Sequence, residues 1–238
     1  LSTKSLAEVD RVKRDIIRLY DKDFIRIDPT GKASAMFKAI PSELTRNSSR
    51  YQVASVTENG RANRLLETIT NMGESMVVNM AYHANDPGPG MAFHKDTSTF
   101  KMFVGDTGLF VTLAFWDKEF TDNVIYQKLL TDKLSKDLGY VYENVVAQML
   151  VASGNELYYH TFPTESGKHR YEVDFLIPDG DKVVPIEVKS SGYKAHVSLD
   201  AFCTKFSSRV SRPYLIYTKD LRKEGNLLYL PVYMTMFL

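Results

Sequence analysis

Only one cysteine, Cys203, occurs in 238 residues, so no disulfide can close within the chain and a disulfide-stapled secreted scaffold is excluded. A reducing compartment, the cytoplasm by default, is the expectation. No apolar run approaches the roughly 20 residues that a spanning helix needs, and the opening LSTKSLAEVD lacks the order of a signal peptide, so no membrane association is expected. Charge of one sign is also scarce. Thirty Lys and Arg stand against 29 Asp and Glu, a net +1, so the overall balance does not advertise nucleic-acid binding and any basic surface must come from local clustering. The stretch from Gly88 to Thr97 has glycines but not the glycine-lysine-hydroxyl run that cradles phosphates, and it reads as a loop. His83 and His94 flank it without a carboxylate or thiol at metal-ligand spacing and read as surface histidines. No repeat stands out. The chain begins on Leu1 rather than Met, which suggests a fragment or a processed product.

What is present is ordinary for a globular protein: 44% hydrophobic and 25% charged residues, with length for one large domain or two small ones. Two are expected. Ser5 and Glu8 form a capping box, and Leu6, Val9, Val12, Ile16, Ile17 and Tyr20 recur at helical spacing. A second helix runs through Ala35, Met36, Ala39 and Ile40 to Pro41, where a new short helix can begin. A third carries Ala62, Leu65, Leu66, Ile69 and Met72, with Gly73 placed as its C-terminal cap. The strands SMVVNMAY and FKMFVGD follow across the turn-rich NDPGPG. Three helices and a two-stranded ribbon outline a winged helix, with Arg61 and Arg64 on the exposed side of the third helix, where DNA-binding versions place their readers. Arginines there can equally be solvated surface.

The mixed-charge residues 117–137 read as a solvated helical connection, and the domain boundary falls near Trp116. The expected division is a helical linker over 1–30, a winged-helix-like domain over 31–116 and a second domain over 117–238. In that second domain a helix from Leu134 to Ser153, capped by Gly154, precedes strands at 156–162, 171–177 and 183–189. A helix from Ser198 to Ser208 and the strands PYLIYT and NLLYLP complete it. The fold class is α/β (α+β), with α-β-β-β-α-β order and helices covering both sides of the sheet.

The chemistry centres on YEVDFLIPDGDKVVPIEVK, residues 171–189. If Asp179 to Lys182 form the hairpin loop, opposed residues sum to 361, which sets Asp174 opposite Glu187 and Glu172 opposite Lys189. Alternation puts these groups on one face, with Val173, Phe175, Ile177, Val184, Ile186 and Val188 on the other. Facing carboxylates repel unless a cation sits between them. Glu143, beside Ala147 and Leu150 on the preceding helix, adds a third acid. Oxygen ligands of this kind suit Mg²⁺ or Mn²⁺ rather than zinc, and Lys189 could orient or deprotonate an attacking water in phosphodiester hydrolysis. The plain alternative is a cross-strand Glu172–Lys189 ion pair worth about 1 kcal/mol or less, with the other acids reaching solvent.

Asp174, twelve intervening residues and Glu187-Val188-Lys189, after a helix bearing Glu143 in YENVVAQML, resemble the PD-(D/E)XK restriction-endonuclease-like superfamily, with Val173 in place of the leading proline. A longer series, VDRVKRDIIRLYDKDF, AIPSELTRNSSRYQVAS, RANRLLETITNMG, FKMFVGDTGL, YEVDFLI, VVPIEVKSS and LYLPVYM, is similar to the C-terminal half of a prokaryotic AAA-type ATPase family. In that family a P-loop module precedes a winged-helix segment and a domain of unknown function with the nuclease-like signature. The resemblance implies metal-binding acids at Asp174 and Glu187, a catalytic lysine at Lys189, a helix acid at Glu143 and a backbone ligand at Val188. It also implies ATP hydrolysis in a module outside this chain, which would be its partner.

Two functions follow as expectations: a metal-dependent nuclease acting on DNA, or an inactive module of the same fold that binds nucleic acid or protein and regulates the attached ATPase. From Lys189 to Lys223 eight basic residues stand against two acids; Lys194, Lys205 and Arg209 are the candidate phosphate contacts there. That segment can equally be solvated surface.

Overall fold

The computed structural model describes residues 5–46, 49–56, 61, 65–117 and 139–238. The expected connection at 117–137, the start of the helix at Leu134, and Ala62 and Arg64 of the third helix lie almost wholly outside these residues.

Helix α1 spans Leu6–Ile27, and the Ser5 side chain accepts the Glu8 N–H as the capping box requires. Helix α2, Lys32–Thr45, runs unbroken through Pro41. The expected new start at Pro41 does not occur: Met36, Phe37 and Ile40 before it and Glu43 after it are all buried on the same helix, and that packing outweighs one missing backbone hydrogen bond. Helix α3, Leu66–Glu74, contains Gly73 in its last turn instead of ending on it. A Cβ on Gly73 would come within 3.1 Å of Met80, so the glycine serves close approach, while Met76 takes the left-handed conformation at φ 60°. Further α-helices among the described residues are α4 (Thr107–Ala114), α5 (Gly139–Ala152) and α6 (Val197–Lys205).

Among the described residues eight strands occur in chain order: β1 (Val78–Ala84), β2 (Lys95–Val104), β3 (Leu157–Pro163), β4 (Arg170–Asp179), β5 (Lys182–Val188), β6 (Tyr214–Tyr217), β7 (Arg222–Glu224) and β8 (Leu227–Pro231). They make one mixed sheet in the order β2-β1-β3-β4-β5-β6-β8-β7. The fold is therefore mixed α/β. β1 and β2 form the expected antiparallel ribbon, but β1 also pairs in parallel with β3, so strands from both sides of Trp116 share a sheet.

Alternation along β2 explains how the ribbon is covered twice. Phe100, Met102 and Val104 pack with Ile17, Phe37, Ile69 and Phe110 of the first four helices. Phe103, from the alternate set, packs with Ala81, Tyr159 and Phe175 against Val146, Ala147 and Leu150 of α5. On the other side of β4 and β5, Val173, Leu176 and Val183 pack against Phe202 of α6. Helices thus cover both faces of the central strands, as expected. Each fully buried large side chain of these clusters contributes roughly 1.5–3 kcal/mol.

The β4–β5 hairpin has the expected register, with Phe175 opposite Ile186, Ile177 opposite Val184 and Pro178 opposite Val183. Its turn is tighter than a four-residue loop: Asp179 still pairs with Lys182, and Gly180 supplies φ 60°. The single expected apolar face is corrected, because Val173 lies in the cluster of Leu176 and Val183 while Phe175 and Ile177 lie in the other. The cause is a β-bulge. Between the pairs Tyr158–Leu176 and His160–Val173, two residues of β4, Asp174 and Phe175, face Tyr159 alone.

Candidate functional site

The bulge makes the site by breaking the ladder at Asp174. The Asp174 Oδ2 accepts the backbone N–H of Val188 at 2.7 Å, so a side chain takes the place of a strand partner. That bond joins β4 to the Glu187-Val188-Lys189 run at the end of β5, where the Lys189 Nζ lies 2.7 Å from Glu187 Oε1. The other Glu187 oxygen, Oε2, is buried with no hydrogen-bond partner among the described residues. The expected Glu172–Lys189 pair is replaced by another. Lys101 of β2 places its ammonium 2.5 Å from Glu172 Oε1 and 3.8 Å from Glu143 Oε2.

Sequence reasoning missed Lys101, which lies 42 residues before Glu143 and on a strand whose pairing with the central sheet is not local. It reaches the acids because its partner across the ladder is Ala81, whose methyl group leaves the space above β1 open toward Tyr159 of β3. Asn144 was missed as well. Fully buried on α5, it accepts the Val104 N–H at 2.9 Å and donates to the Val104 carbonyl at 3.0 Å and to Thr107 Oγ1 at 3.0 Å. Gln148, one turn on, accepts from the N–H and hydroxyl of Thr107. This clamp fixes α5 against the end of β2 and so sets Glu143 against Lys101. A buried polar residue in an apolar helix was the available signal.

The electrostatics follow from crowding. Loss of solvent raises Asp174 well above the usual carboxyl range, and the charges of Glu187 and Glu143 add to it, only partly offset by Lys101. Glu187 is raised by burial, against the pull of Lys189. Burial works to lower Lys101, but Glu172, Glu143 and Asp174 outweigh it and hold the ammonium charged. Lys189 is likewise raised against its burial, by Glu187. With all four acids ionised, as a bound cation would require, four carboxylates and two ammonium groups leave two negative charges in excess.

Among the described residues, no three His, Cys, Asp or Glu side chains are arranged as a ready-made metal cage. The donor chemistry nevertheless fits a hard dication: the acids offer oxygen, one buried Glu187 oxygen lacks a partner, and the excess charge equals two.

Beside this cluster lies a cleft of about 400 Å³ with Lys101, Glu143 and Glu172 in its lining. Arg46, Arg50, His169 and Arg170, all exposed, line it too. Arg170 is held by Thr161, whose carbonyl accepts from Nη2 at 2.7 Å. Arg46 is paired with Glu43 at 2.7 Å.

Residues 138–234 match the model of a domain of unknown function, DUF4143. No curated protein and no solved structure matches the chain. The DUF4143 segment contains Glu143, Glu172, Asp174, Glu187 and Lys189, and Lys101 lies outside it. Of the described residues expected to contact nucleic acid, Arg61, Lys194, Lys205 and Arg209, none lines the cleft, and Arg64 lies outside the described residues. Lys194 is exposed, Lys205 lies over the rings of Phe162 and Phe206, and Arg209 pairs with Asp86. Arg61 is exposed. Among the described residues no helix is long and apolar enough to cross a membrane.

Proposed function

We propose that the DUF4143 segment is a PD-(D/E)XK-like domain that binds Mg²⁺ or Mn²⁺ and hydrolyses nucleic-acid phosphodiester bonds. The observation that carries this reading is the cluster itself: Asp174, Glu187 and Lys189 brought together at a bulge, with Glu143 supplied by the preceding helix. The order α5-β3-β4-β5-α6-β6, antiparallel through β5 and parallel from β5 to β6, supports the same assignment. A winged-helix origin for the ribbon and its helices, and an ATPase module preceding this chain, belong to the same proposal and rest on the sequence resemblance.

Asp174, Glu187 and the Val188 backbone would hold the cation, with Glu143 reaching it from the helix. When bound, the dication supplies Lewis acidity to a phosphoryl oxygen and acidity to a water. Lys189, 2.7 Å from Glu187, orients the attacking water by hydrogen bonding and holds positive charge beside the phosphate. The arginines of the cleft draw in the phosphate backbone. From the sequence the same role is expected of Lys194, Lys205, Arg209, Arg61 and Arg64. The phosphodiester linkage is common to DNA and RNA, so both belong in the assay.

A second reading is favoured by one observation. Lys101 and Lys189 already pair with three of the four acids, as in a scaffold that keeps the fold to bind a partner or regulate the attached ATPase. The test is cleavage of single- and double-stranded DNA and of RNA by the full chain with Mn²⁺, set beside Lys189→Ala. Cleavage that falls at least about 100-fold in the variant supports hydrolysis. Equal cleavage by both proteins, or none by either, supports the non-catalytic module.

A further inference from the structure

The cluster divides into two halves, and among the described residues only one of them holds a buried carboxylate oxygen with no hydrogen-bond partner. In the first, Lys101 Nζ lies between Glu172 at 2.5 Å and Glu143 at 3.8 Å, with the Tyr159 ring centroid 5.4 Å away. In the second, Lys189 holds one oxygen of Glu187, the Val188 N–H holds one oxygen of Asp174, and Glu187 Oε2 stays buried and unpartnered. A lysine with only 8% of its side chain exposed, on a strand face otherwise made of Ala81, Phe103 and Tyr159, is costly unless its charge is matched. Here it is matched, by two acids of the DUF4143 segment.

We propose that Lys101 is a tethered cation that fills the Glu143–Glu172 half of the centre in place of a second metal ion, so that the centre takes one divalent cation, at Asp174 and Glu187, with the helix acid Glu143 shared between that cation and the ammonium. This rests on the metal reading above and sharpens it. With the four acids ionised, the two excess negative charges are balanced by one dication, whereas a second would reverse the sign of a largely buried cluster. The tether also makes the centre depend on residues outside the DUF4143 segment. Lys101 is here a positioning residue: it pairs with the acids and does not touch the reacting atoms.

The test is to count Mn²⁺ per chain by titration calorimetry and to read the electron paramagnetic resonance spectrum of the full 238-residue protein. Wild type is expected to take one ion, with the spectrum of isolated Mn²⁺. Lys101→Gln, with its fold checked by circular dichroism, is expected to take two and to show exchange coupling between them. Glu172→Gln, which touches only the lysine half, is expected to keep one ion with affinity within about threefold of wild type, and it carries the test if Lys101→Gln does not fold. Two coupled ions in wild type overturn the proposal, as does a folded Lys101→Gln protein that still takes one. A loss of affinity of about tenfold or more in Glu172→Gln overturns it too. No ion in wild type but one in Lys101→Gln also overturns it and makes the lysine the centre's whole cation. No ion in any of these proteins removes the metal reading itself.

Discussion

At Asp174 a carboxyl group accepts a backbone hydrogen bond while losing solvent and facing Glu187 and Glu143. Because its folded pKa is raised above the unfolded value, the stability it contributes is present at acid pH and is lost as pH rises through the folded pKa. Asp174→Asn keeps an acceptor for the Val188 N–H and cannot ionise. Its Tm should exceed that of wild type at pH 7 and converge with it at low pH, measured by thermal denaturation without metal, while Mn²⁺ binding is lost.

His160 works in the opposite sense. Burial among Phe162, Phe202 and Phe206 lowers it to about 4, with Nδ1 2.7 Å from the Ala84 carbonyl. Its contribution is present above the ordinary histidine pKa and is lost as pH falls toward 4. His160→Gln should flatten the acid limb of the stability profile between about pH 6.5 and 4. Asp174 and Glu187 were legible in the sequence because the hairpin's composition and turn fix its register. Lys101 and the unpartnered Glu187 oxygen were not, since both depend on contacts made by strands far apart in the chain.

Elements hold these residues in place, and here the bulge and the α5 clamp matter most. A one-residue slip at Asp174–Phe175 leaves the strand's composition unchanged, so alternation counted from the sequence assigns Val173 to the wrong cluster. Most helices were legible from the sequence, but α4 was not read there, and the continuity of α2 through Pro41 and the inclusion of Gly73 in α3 were decided by packing. Asn144→Ala leaves the Val104 N–H and carbonyl unsatisfied in a buried place. It should destabilise the protein by about 3 kcal/mol in denaturant titration. Because the clamp sets Glu143 against Lys101, it should also weaken Mn²⁺ binding by about tenfold. Phe175→Ala, at a fully buried position beside the bulge, should cost about 3–5 kcal/mol.

At the scale of the whole molecule, the sheet joins what the sequence divides. Composition and a charged connection place a boundary near Trp116, and the nonlocal parallel pairing of β1 with β3 has no local signature that would argue against it. One consequence concerns truncation. Residues 138–234 expressed alone would leave the β3 edge unpaired and uncover the faces of Leu157 and Tyr159 that Ala81 and Phe103 cover. That segment should aggregate or lack a cooperative transition, whereas the whole chain should unfold in one calorimetric transition that includes Lys101. Two well-separated transitions in the whole chain would show that the ribbon and the DUF4143 segment are independent.

The central claim is that the acids at the bulge form a cation site. It is tested most directly by titrating Mn²⁺ into the full chain in a calorimeter, beside Asp174→Ala. Saturable binding by wild type that is absent from a folded Asp174→Ala protein is the predicted result. No binding by wild type, or equal binding by both proteins, would contradict it.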